Sequence, residues 1–114
     1  MIARLWHGVT NESRADEYLD YVRETGIADF KVCEGYRGVF VMRRVEEDRA
    51  HFLLMSLWDS LDSVKGFAGD NIVQARYYPA DRDYLLELEP HVQHYEVVED
   101  PWRKDLYVTD SEIR

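Results

Sequence analysis

Residues 51–58 read His-Phe-Leu-Leu-Met-Ser-Leu-Trp, a β-prone run that is apolar on both of its faces. Successive side chains of a strand alternate, so Leu53, Met55 and Leu57 oppose Leu54 and Trp58 across the sheet. A strand of that kind belongs in the middle of a sheet covered twice. One layer of helices covers one face. A chain of 114 residues has little left for the second, and the simplest cover is another copy of itself. The expectation is therefore a homodimer.

The remaining elements arrange themselves around that strand. Ile2 to Thr10 reads as a strand with mixed faces, Ala3, Leu5, His7 and Val9 against Ile2, Arg4, Trp6 and Gly8. Ser13, with Asp16 three residues on, opens a helix by a capping-box-like pair. Ala15, Tyr18, Leu19 and Val22 form its buried stripe, Gly26 ends it, and 27–36 is a connection. Arg37 to Val45 and His51 to Trp58 form a hairpin across the polar turn Glu46 to Arg49. Asp59 caps a second helix carrying Leu61, Val64, Phe67 and Ala68, which Gly69 ends. Asp70 restarts a short helix through Ile72, Val73 and Tyr77 that Pro79 closes, and a further turn covers Asp81 to Leu86. Val92 to Val98 is the last strand. The order β-α-β-β-α-β predicts an α+β, ferredoxin-like domain over residues 1–98. Residues 99–114 form a C-terminal tail, which Pro101 turns away from the sheet. Trp102 and Tyr107 are expected to pack on the domain, because disordered segments are poor in aromatics.

Charge and cysteine content narrow the function. A net charge of -9 opposes binding to nucleic acid and to anionic membranes. Arg43 and Arg44 read as a charged strand end. The single cysteine, Cys33, allows no disulfide within the chain and reads as a structural thiol. No apolar run is long enough to span a membrane, and the opening residues have no signal-peptide pattern, so a cytoplasmic protein is expected. No Gly-rich phosphate loop, Gly-x-Ser-x-Gly elbow or paired-cysteine site is present. His91 and His94 are three apart on a strand and point to opposite faces, against a metal site. No cofactor and no metal are expected. Three Trp, eight Tyr and four Phe are many rings for this length, and point to a pocket or interface as well as a core.

The stretch Phe-Leu-Leu-Met-Ser-Leu-Trp-Asp-Ser-Leu-Asp-Ser-Val-Lys-Gly-Phe-Ala-Gly, from Phe52 to Gly69, resembles the strand-to-helix core of the antibiotic biosynthesis monooxygenase superfamily. Ala75-Arg76-Tyr77-Tyr78-Pro79, the closing His94-Tyr95-Glu96-Val97 and the opening Ile2-Ala3-Arg4-Leu5-Trp6 add to the likeness. The resemblance implies a ferredoxin-like domain whose sheet packs on a second subunit's sheet in a dimeric α+β barrel. For chemistry it implies two courses. Some members oxygenate polyphenolic or quinol substrates with neither metal nor flavin, and others bind and degrade haem. The haem-degrading relatives place an Asn near the end of the first strand, a Trp near the end of the third, and a ligand His after the second helix. His7, Trp58 and Tyr77 fall near those three positions, and two of the three differ in type.

Read as chemistry, these residues describe a monooxygenase of a small aromatic or polyphenolic compound that needs no cofactor. A base takes a proton from an acidic phenol, and the electron-rich anion donates to dioxygen. Trp58, with Trp6 and Phe67, would wall the pocket; the other reading of Trp58, and the commoner one for such a ring, is a core ring sealing the strand-helix junction. His7 or His94 would be the base, His94 with Glu96 on the same strand face. Tyr77 would be the donor, and Tyr78, about 100° away if the two are helical, would pack elsewhere. The alternatives are a haem-binding or haem-degrading protein, and a non-catalytic small-molecule-binding dimer.

Overall fold

The ten residues of β3 (Arg49–Trp58) pair along both edges, with β1 (Ile2–Asn11) on one side and β2 (Tyr36–Glu46) on the other. This computed structural model describes residues 1–102. A short last strand, β4 (Gln93–Glu96), adds to the far edge of β1, giving the order β2-β3-β1-β4 with every neighbour antiparallel. Four helices intervene: α1 (Ala15–Glu24), α2 (Gly26–Lys31), α3 (Leu61–Ala68) and the single turn α4 (Asp81–Tyr84). The fold is α+β and ferredoxin-like.

The register sorts the two faces. Ile2↔Trp58, Arg4↔Ser56, Trp6↔Leu54, Gly8↔Phe52 and Thr10↔Ala50 are opposed pairs on one face. That face packs against the helices: Tyr18 and Val22 of α1, Ile27 and Phe30 of α2, and Val64 and Phe67 of α3 form one core with Ile2, Phe52 and Trp58. The other face carries Leu5, Leu53, Met55, Phe40, Met42 and Tyr95, and no helix among the described residues covers it. Phe40 is 41% exposed, Met42 42% and Tyr95 54%. Trp102 stacks on Phe40 with ring centroids 5.7 Å apart and planes 8° from parallel. Tyr107, the other tail ring expected to pack, lies outside the described residues.

Several local expectations are corrected. Ser13 does not cap α1; it lies in a 3-10 turn at Glu12–Arg14, and Arg14 precedes the helix without a side-chain cap. Gly26 does not end α1. Thr25 does, its hydroxyl donating to the Tyr21 carbonyl at 2.7 Å, which frees Gly26 to begin α2 inside the expected connection. The α3 cap is Ser60 rather than Asp59: Ser60 Oγ accepts from the Ser63 amide at 3.2 Å, while Asp59 pairs with Arg37 at 2.9 Å. No helix forms at 70–79. Ile72 and Val73 instead lie in a turn closed by the Gln74 N–H donating to the Asn71 carbonyl at 3.2 Å, and the segment is tied to the stretch before the last strand, with Val92 N–H donating to the Val73 carbonyl at 2.8 Å and Ala75 N–H to the Pro90 carbonyl at 2.9 Å. The last strand is Gln93–Glu96, shorter than the expected Val92 to Val98.

Candidate functional site

Gly8 makes room for the site. A Cβ there would lie 2.4 Å from the Trp6 ring, so the missing side chain lets the indole fold back along β1. Between this part of the sheet and the helices is an open cleft of about 500 Å³, counting the space shared with solvent. Arg4 and Trp6 of β1, Phe30 of α2, Phe67 of α3, and Arg76 and Tyr78 of the segment between α3 and α4 line it.

Arg4 is the unusual member. It is 3% exposed, and no carboxylate among the described residues neutralises it. Burial alone lowers its pKa to about 10, and it stays a cation at neutral pH. Its Nη1 donates to the Ile72 carbonyl, and its Nη2 to the Gln74 carbonyl at 3.2 Å. His94 Nε2 lies 3.0 Å from Arg4 Nη1. Burial first, and the Arg4 charge second, hold the His94 pKa down to about 4. The ring is therefore neutral at pH 7, and its Nε2 accepts from Arg4, which assigns the ring proton to Nδ1.

Arg76 is held differently. It donates to Asp29 at 3.1 Å and to the Phe67 carbonyl at 3.0 Å, with its guanidinium 4.8 Å from the Phe67 ring centre and 5.0 Å from that of Tyr78. The Arg4 guanidinium is 5.8 Å from the same Phe67 ring. Phe67 thus lies within cation-π reach of two arginines. Tyr78 donates to Asp29 at 2.5 Å, and buried Asp81 accepts from the Tyr18 hydroxyl at 2.9 Å and the Tyr78 amide at 2.6 Å. Burial, more than the neighbouring carboxylates, raises the Tyr18 and Tyr78 pKa values, so both hydroxyls stay protonated. The cleft is a slot walled by rings with two guanidinium groups, suited to holding a flat, electron-rich molecule.

The structure divides the residues singled out from sequence. Trp6 and Phe67 line the cleft. Trp58 lies in the core, fully buried among Phe30, Tyr36 and Phe67, its Nε1 donating to Ser56 Oγ at 2.9 Å. It seals the strand-helix junction and is not on the cleft wall. His94 reaches the site only through Arg4, and Glu96, two residues along, is not its hydrogen-bond partner. His7 is on the opposite face of the sheet, since odd positions of β1 face away from the helices. There His7 Nδ1 lies 2.5 Å from Glu89 Oε2, and His7 Nε2 lies 3.1 Å from His51 Nδ1. Tyr77 turns its hydroxyl to the Glu89 carbonyl at 2.5 Å and packs edge-on to Trp6, while Tyr78 faces the cleft. Arg4, Arg76 and Tyr78 were not selected from sequence. The available signal was Arg4 itself, a charge in mid-strand between Ile2 and Trp6.

Porphyrin iron requires an axial ligand. Among the described residues no histidine lines the cleft, and the Tyr18 and Tyr78 hydroxyls are tied to carboxylates and hard to ionise. Tyr77, at the position expected for the ligand, is held outside the cleft. These residues do not fit axial ligation of haem.

No protein-family model matches the chain, and no curated protein matches it. Among solved structures, it is similar to a mutant of MhuD crystallised with two manganese protoporphyrin IX molecules bound per active site. The TM-score is 0.55 at 15% identity, over 88% of this chain and 97% of that one. At that identity the likeness concerns the fold, which is the ferredoxin-like one described above.

Proposed function

We propose that the cleft between sheet and helices binds a flat aromatic or polyphenolic compound, and that the protein acts on it as a monooxygenase without a cofactor. The observation behind this reading is the Phe67 ring, within reach of two guanidinium groups, at the wall of a cleft open to solvent. A flat molecule entering there meets aromatic contact from Phe67 and Trp6 and positive charge from the two guanidinium groups beside them. Catalysis of this kind asks little of the protein. It must hold the ring, exclude water and favour the anion. Neither histidine proposed from sequence as the base is placed for the task, His7 facing away and His94 being occupied by Arg4. The Arg76 guanidinium at the cleft wall takes over that role: it stabilises the substrate's phenolate, and solvent removes the proton. The anion then donates electrons to dioxygen. One oxygen atom bonds to ring carbon and the other leaves as water, with the substrate supplying both reducing electrons.

The test is oxygen uptake by the purified protein with a panel of polycyclic quinols, in the presence of a metal chelator. The expected result is stoichiometric uptake, with one labelled oxygen atom from dioxygen in the product. Neither uptake nor binding of any quinol would overturn the reading.

The porphyrin in the MhuD structure favours a second reading, a porphyrin seated in the same cleft of this protein. Since the lining residues do not fit axial ligation, haem titrated into the protein is expected to give no low-spin ligated spectrum. We further propose that a second copy of the chain covers the bare apolar face of the sheet, making a homodimer.

A further inference from the structure

We infer that the compound bound in the cleft is an aromatic carboxylate, its acid group seated on Arg4 at the cleft floor. This rests on the cleft being a site for flat aromatic ligands and names the class of ligand it takes. The argument begins with cost. A charge removed from water is strongly disfavoured unless an opposite charge or a full set of hydrogen bonds replaces the solvent. Arg4 is 97% out of solvent by its 3% exposure, and the replacement is incomplete. Two carbonyls, Ile72 and Gln74, and the neutral His94 ring use three of its five N–H donors. None of these partners is charged.

The acid that the register brings nearest does not supply the missing charge. Glu96 shares the helix-side face with His94 and Arg4, opposite Ile2, yet it makes no ion pair with Arg4. One of its own carboxylate oxygens is buried without a partner. The other arginine of the cleft, Arg76, already has Asp29. The cleft therefore holds one neutralised cation at Asp29 and one unneutralised cation at its floor. A planar guanidinium receives a carboxylate through two parallel N–H bonds, and the fork is selective for that geometry. Phe67, 5.8 Å from the Arg4 guanidinium, places an aromatic surface where the ring bearing that carboxylate would lie. Recognition then has two parts, a ring against Phe67 and Trp6 and an acid on Arg4.

The experiment measures binding of hydroxynaphthoate, its carboxamide and unsubstituted naphthol by titration calorimetry, to the wild type and to Arg4→Met and Arg4→Lys. Circular dichroism shows that each variant folds. The expected result is that the acid binds the wild type more tightly than the other two. Arg4→Met should then lose about ten- to a hundredfold for the acid alone, the range of a hydrogen bond to a charged group. Arg4→Lys should recover part of that loss, because it keeps the charge without the fork. If all three ligands bind alike, or Arg4→Met weakens them equally, the carboxylate assignment is overturned while the aromatic cleft stands. If none binds, the cleft itself is not an aromatic site and both readings fall.

Discussion

Two residues on the helix side respond to substitution for opposite reasons. Trp58 is buried in full with its one polar atom satisfied, so Trp58→Ala leaves a cavity and takes from Ser56 Oγ the donor it accepts from. The expected loss is about 3–5 kcal/mol in urea unfolding. A loss under about 1 kcal/mol would show that the ring is not core. His94 acts through protons. Its folded pKa, about 4, lies below the unfolded value near 6.5. Between those limits the unfolded chain holds the proton and the folded one does not, so stability is full above about pH 6.5 and falls as the pH drops toward 4. His94→Gln should flatten the difference in urea midpoint between about pH 7.5 and 5.5; an unchanged slope would mean that His94 is not the group responsible. Neither role was plain in the sequence. Trp58 reads as wall or as core from sequence, because a strand end next to a helix offers both. Arg4 was hidden because β1 has mixed residues on both faces, and only the register with Ser56 assigns it to the covered one.

At the scale of elements, the strands were legible and the ends of the helices were not. Alternation in Phe52–Trp58 marks a two-sided strand wherever it is placed, and the polar turn between Val45 and His51 leaves a hairpin as the short connection. Caps depend on competition between neighbours. Ser60 takes the N-cap position because Asp59 is engaged by Arg37, a contact 22 residues distant that no local pattern contains. Ser60→Ala is expected to cost about 1 kcal/mol. The hairpin turn gives a gain instead. Glu47 holds a left-handed φ of 58°, a conformation in which its Cβ is crowded. Glu47→Gly or Glu47→Asn relieves this, with an expected increase of about 0.5–1 kcal/mol in thermal or urea unfolding. A decrease would mean that the Glu47 side chain makes a compensating contact.

No described helix covers one side of the sheet, where Phe40, Met42, Leu53, Met55, Leu5 and Tyr95 run across all four strands and the Trp102 ring is laid on Phe40. Each large apolar side chain left in water forfeits roughly 1.5–3 kcal/mol, which a second copy of the same face would recover. Sedimentation at micromolar concentration is expected to give a dimer, and Met55→Glu a monomer; a monomeric wild type would overturn the proposal. Truncation after Glu99 tests the tail in the same assay. The ring of Trp102 would be lost, and weaker dimerisation is the expected outcome. The double pairing of β3 also orders the molecule in time. The β2-β3 hairpin closes over two residues, while β1 must return to β3 across α1 and α2, and β4 adds only four residues at an outer edge. Amide protons in β3, locked between two neighbours, should therefore exchange with solvent only when the entire chain opens. Those of β4 should escape through local fraying and exchange much faster.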